Sequence, residues 1–125
     1  MNNNDRHSIF TLLYAVVLID NRVVKVEVDR FFARIEMFLI QIDYADILTA
    51  KSIISTWFVQ NYKNILSEMK SPERDAFLLK HVDSLKLYNH RRDVFNIMNE
   101  IALADKELHE TEEQFLDKVI SAWQL

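Results

Sequence analysis

The sequence predicts an all-α fold, a single compact helical domain of six or seven helices, on three observations. Glycine is absent from all 125 residues, and Pro72 is the sole proline. Apolar residues make up 50% of the chain and recur at three- and four-residue steps, the period of a helix face. Tight two-residue hairpin turns favour glycine at positive φ and are hard to build from such a chain. The same lack removes phosphate-cradling and dinucleotide-binding loops, whose backbone needs glycine. The length suits one domain, placed at 8–125 after a frayed or disordered tail over 1–7.

Each element has its own signal. Ser8 offers a cap for a first helix over 8–20, apolar nearly all round and therefore central. Its apolar run Ile9–Ile19 spans eleven residues, too short to cross a membrane, where about 20 are needed. With Asp5 offsetting Arg6 and Asp20 following the run, it reads as a buried helix rather than a signal peptide. A second helix covers Val26–Ile42, carrying Phe31, Ile35, Phe38 and Leu39 on one face, and Asp43–Asp46 makes the turn after it. The stripe from Ile47 through Ile54, Trp57, Phe58, Tyr62 and Ile65 to Met69 is helical, as one helix or as two. Ser71-Pro72-Glu73-Arg74 starts the next, with Ser as cap, Pro at the first helical position and an acid in the first turn. It turns Phe77, Leu78, Val82 and Leu85 inward, and Lys86–Arg92 is a polar connector with Asn89 as the next cap. Helices over 91–105 and 109–124 complete the chain, burying Val94, Met98 and Ile101 in one and Phe115, Leu116 and Val119 in the other. Trp123 reads either as core or as an anchor for a partner or second subunit.

Charge and composition restrict function. Nineteen acids against fifteen Lys and Arg give a net charge of −4 and a pI near 5.5. Nucleic-acid binding, which usually shows a basic patch, is disfavoured. Without cysteine there are no disulfides, thiolate metal sites or thiol catalysis, which fits a cytoplasmic location. No nucleophile–base–acid grouping is evident, so the chain is not expected to be an enzyme. His7, His81, His90 and His109 never pair at the four-residue spacing of a helical metal site and read as surface residues.

Two segments repeat. Leu12–Ile35 aligns with Ile97–Ile120 at an offset of 85 residues, which sets Asp20 over Asp105, Val23 over Leu108, Glu27 over Glu112 and Phe31 over Leu116. Each copy is an apolar helix ending near Asp, a short turn with one buried aliphatic, and a new helix with Glu seven residues after the Asp. Two such copies imply two similar hairpins packed face to face, with 44–90 wrapped around them.

The motif Ala102-Leu103-Ala104-Asp105-Lys106-Glu107-Leu108-His109-Glu110-Thr111-Glu112, with its weaker counterpart Leu18–Glu27, resembles the TerB-like family. That family includes the tellurite-resistance TerB proteins and the N-terminal region of the DjlA co-chaperones. Its pattern is A-x-A-D-G-x-(I/L)-S-x-x-E. Here the Gly is replaced by Asn21 and Lys106, and the Ser by Val24 and His109. The resemblance implies a helical domain and a binding or scaffold role through a protein partner in a stress- or envelope-associated response, a homodimer being one form of it. It also implies divalent-cation binding through the paired acids.

Asp20, Glu27, Asp105 and Glu112 are the candidate site residues. In one role each Glu faces its own helix N-terminus and closes a cap, while each Asp accepts N–H groups of its turn, and no cofactor is needed. In the other, two hairpins pool four carboxylates around a divalent cation. Arg22 and Lys25 stand beside the first pair as compensating charge. An EF-hand loop is excluded, since its glycine and twelve-residue ligand spacing are missing.

Overall fold

The computed structural model describes residues 1–20, 22–105 and 107–125. Asn21 and Lys106, the positions of the family's glycine, lie outside the described residues. Six helices and no strand occur among the described residues: α1 (Asn3–Leu18), α2 (Lys25–Asp43), α3 (Ile47–Lys70), α4 (Arg74–Ser84), α5 (Arg91–Ala102) and α6 (Glu110–Trp123).

The first helix is the axis of the molecule. Every residue from Ser8 to Leu18 is buried, and α1 packs against α2, α3, α4 and α5. A helix apolar on all sides is stable only where neighbours surround it. It begins earlier than its sequence suggests. Asn2, not Ser8, is the cap, accepting from the Asp5 N–H at 2.7 Å. Residues 3–7, expected as tail, form its first turns, and the Met1 ammonium lies 3.4 Å from Asp43. Ser8 is instead buried, with its Oγ 2.9 Å from His81 Nδ1.

The other elements follow from their ends. α2 stops where Tyr44 turns left-handed at φ 57°. Asp46 then caps α3 through the Thr49 N–H at 2.8 Å. The long stripe is one uninterrupted helix, ended at Ser71, whose extended ψ of 152° is what a following proline enforces. Ser71 Oγ accepts from the Glu73 N–H at 3.0 Å, but this is a turn leading into α4, which starts at Arg74. Asn89 caps nothing: His90 precedes α5, without a side-chain cap bond. α5 ends at Ala102, three residues short of the expected 105, and leaves Asp105 in a turn.

The core is continuous from α1 outward. It joins Phe31, Ile35 and Leu39 of α2, Ile54 and Trp57 of α3, Val82 of α4, Met98 and Ile101 of α5 and Val119 of α6. Trp123 belongs to this core rather than to a docking surface. It is 1% exposed, and its Nε1–H donates to the Val82 carbonyl at 2.8 Å, fixing α6 to α4. The aliphatics of the two turns are not buried as the repeat suggests. Val23 is 60% and Leu108 41% exposed, because each turn projects from the end of its helix pair. No described helix is long and apolar enough to cross a membrane.

Candidate functional site

The two turns, α1 to α2 and α5 to α6, bring their acidic residues together. The local geometry is parallel in both. Asp20 Oδ1 accepts the Arg22 N–H at 3.1 Å, and Asp105 Oδ1 accepts the Glu107 N–H at 3.0 Å. An Asp bonding the backbone two residues on is an Asx-type contact, typical of turns. Each turn leads to an extended residue, Val24 or His109, and then to a helix whose third residue is Glu.

The two glutamates share a position but differ in their bonds. Glu27 and Glu112 are both 1% exposed. Glu112 Oε1 accepts the His109 N–H at 3.3 Å, half of a capping box. No donor group reaches its Oε2 or either oxygen of Glu27, and the Glu112 carboxyl stands within bonding reach of Glu27. Glu27 therefore makes no capping bond. Burial is the main reason its pKa rises to about 8, and the charges of Glu112, Asp105 and Asp20, with the hydrogen bond that protonated Glu27 donates to Glu112, add to the effect. Burial also raises Glu112, against the lowering effect of the His109 N–H. A buried carboxylate without a partner is costly, so such a group holds a proton or attracts a cation.

Above these glutamates lies a more exposed layer. His109 Nε2 is 3.6 Å from Asp105 Oδ2, 3.6 Å from Glu107 Oε2 and 3.9 Å from Asp20 Oδ2. Ligand atoms of Asp20, His109 and Glu112 lie within 4.8 Å of one another, as do those of Asp105, Glu107 and His109. The Arg22 guanidinium sits among them: Nη2 is 3.5 Å from Asp105 Oδ2 and 3.9 Å from Glu107 Oε2, and it bonds His109 Nε2. Its Nε is 3.9 Å from Asp20 Oδ2. Arg22 thus supplies the compensating charge expected of it. Lys25 does not, because it pairs with Asp29 of its own helix at 2.7 Å.

All four acids of the sequence reading converge, and two members of the cluster were missed. His109, read as a surface residue, is central, and Glu107 joins it. The signal was present, since the 85-residue offset sets His109 in the family's Ser position, beside the Glu that closes the cap.

His81 is a second correction, since it is 6% exposed. Leu78, His81, Val82 and Leu85 follow helical spacing, which places the imidazole on the inner face of α4. Ser84 Oγ donates to the His81 carbonyl at 2.9 Å and lies 3.0 Å from Ser8 Oγ. Nearby, Trp57 Nε1 donates to His7 Nδ1 at 3.0 Å. An open cleft of about 400 Å³, lined in part by Arg6, His7, Ser52, Thr56 and Trp57, adjoins this network and shares no residue with the acidic centre. The basic connector is also engaged: Arg91 Nε donates to the Trp123 carbonyl at 3.1 Å, and His90 pairs with Asp93.

The family model of the tellurite resistance protein TerB matches residues 6–125. No curated protein and no solved structure matches the chain. The match runs through both acidic turns and all the helices between them, so the chain belongs to the TerB family.

Proposed function

We propose that this protein is a non-enzymatic binding module whose acidic centre takes up a divalent cation, with the two hairpins acting as one repeated unit around it. The observation that carries this reading is Glu27. Both its oxygens are buried with no N–H donor, and its neighbour is a second buried carboxyl, Glu112, with which it shares a proton in the absence of an ion. Buried charges are normally paired or coordinate metals. Asp20 and Glu112, whose ligand atoms lie within 4.8 Å of each other and of His109, and Asp105, grouped with Glu107 and His109, bring oxygen donors from both turns. Such a cation would fasten the α1–α2 turn to the α5–α6 turn.

Thermal unfolding in chelator, then with millimolar magnesium, calcium, manganese or zinc, tests the reading. A saturating ion should raise the melting temperature, by linkage about 2.7 kcal/mol at a hundredfold excess over the dissociation constant. The rise should disappear in Asp105→Asn/Glu112→Gln. No rise with any ion overturns the cation reading.

A second reading, a scaffold acting through a protein partner in a stress- or envelope-associated response, is favoured by a different observation. Tyr44, Ile47 and Leu48, at the corner of α2 and α3, are 90%, 57% and 76% exposed. Adjacent exposed apolar residues are common at interaction surfaces.

A further inference from the structure

We propose that His109 makes the acidic centre a mixed nitrogen–oxygen site for a transition-metal dication of the zinc class, which enters by displacing the Arg22 guanidinium. This rests on the cation reading above and adds to it the class of ion and the route of entry.

Geometry supplies the first support. Donor atoms placed tetrahedrally about 2.0–2.2 Å from one zinc-class ion lie about 3.3–3.6 Å from one another. Asp20, His109 and Glu112 already offer one nitrogen and two oxygens within 4.8 Å, so side-chain shifts of about an ångström close the set. Glu112 is the buried member, with an unpartnered Oε2. Glu27 lies next to it, within reach of a carboxyl–carboxyl hydrogen bond that a bound ion would replace.

Donor chemistry supplies the second. Arginine has five N–H donors and no acceptor. The guanidinium sits against His109 Nε2, so that ring nitrogen is directed at the cluster, and in the tautomer with its proton on Nδ1 it offers a lone pair there. Imidazole nitrogen suits zinc, copper, iron and nickel ions, whereas calcium and magnesium prefer oxygen ligands throughout. The family's serine at this position would leave an all-oxygen set, so His109 is what makes this chain different.

Arg22 supplies the third. Its guanidinium contacts Asp20, Asp105, Glu107 and His109, the groups an ion would engage. Its side chain is 52% exposed, which leaves room to swing toward solvent. Ion and guanidinium compete for one set of acceptors.

Titration calorimetry on the full chain, stripped with chelator, tests this with zinc, cobalt(II), magnesium and calcium chlorides separately. Zinc and cobalt should bind once per chain, about tenfold or more tighter than magnesium and calcium. His109→Ala should lose that preference, Arg22→Gln should tighten zinc binding, and Asp105→Asn/Glu112→Gln should abolish it. Bound cobalt should show visible absorption bands that change in His109→Ala, and circular dichroism should show each variant folded. Magnesium or calcium binding as tightly as zinc, or zinc affinity unchanged in His109→Ala, overturns the inference and leaves the cation site standing. Zinc retained by Asp105→Asn/Glu112→Gln overturns it as adventitious. No ion binding to wild type or Arg22→Gln overturns both readings.

Discussion

A buried histidine makes the acid limb of this protein's stability legible. Burial is the main cause that lowers the His81 pKa to about 4, and the neighbouring charges of His7 and Lys80 act in the same direction. Its folded pKa lies below the unfolded value of 6.5, so the unfolded chain takes up the proton first as pH falls. The stability His81 provides as a neutral ring is present above pH 6.5 and is lost between about 6.5 and 4. His7 is lowered as well, by burial first and Lys80 second, and adds to the same slope. In His81→Phe the ring keeps its contact with Phe77 and has no proton to gain, so chemical denaturation between pH 7 and 4 should show a shallower loss than wild type. An unchanged slope would move the effect to other groups. The sequence carried this residue's helical phase but not its burial, because one polar residue in an apolar stripe fits either side until its partner is known. That partner, Ser8, is 73 residues away.

Among the elements, α3 shows how much of a helix depends on its first residue. It is 24 residues long, with no acid in its first turn. Asp46 alone offers a side-chain cap at its start, and bonds from the Thr49 N–H hold its carboxyl below the usual aspartate range. Asp46→Ala should lower the melting temperature, while Asp46→Asn, which caps equally well, should keep most of it. If the two variants melt alike, the bond contributes nothing measurable. The helices were legible because their stripes are strong, as in Phe31, Ile35, Phe38 and Leu39. Their ends were less so. Asn2 and Ser8 are both good caps by type, and only the packing of residues 3–7 selects the first. In the acidic turns the Asp residues and Glu112 were readable as turn and cap groups. Glu27 was not, since its burial beside Glu112, 85 residues distant, is set by the fold.

For the molecule as a whole, one helix is surrounded and the rest share its surface. α1 contacts four other helices, whereas α6 rests on α4 and α5. Protection against hydrogen exchange should follow this asymmetry, since amides deepest in the core open only with global unfolding. Amides of Phe10–Val17 should exchange at the global unfolding free energy, and those of the last turn of α6 faster. Equal protection in both would mean that the domain opens only as one unit. This centrality was readable from a run apolar on every side, Ile9–Ile19. The approach of the two acidic turns followed from the internal repeat and the family pattern, and the position of Arg22 among the acids followed from its place two residues after Asp20. The same offset put His109 at the family's Ser position, but its contacts required the fold, because a histidine at a helix start has no fixed partner in sequence.

Tyr44 at φ 57° has a consequence for the unfolded chain. A left-handed tyrosine costs about 1–2 kcal/mol in the native state, and at 90% exposure its ring returns almost nothing in packing. Glycine would remove that cost, but it would also loosen the denatured ensemble by about 0.5–1 kcal/mol. A protein with no glycine anywhere has a denatured ensemble whose backbone is restricted at every position. Part of its stability therefore comes from disorder the unfolded chain lacks rather than from contacts the folded chain makes. Tyr44→Gly sets the two effects against each other at a single site. Relief of the strained backbone should win narrowly, raising the melting temperature by about 2–4 °C, and a fall would show that the stiffness of the unfolded chain matters more here than the geometry of the fold.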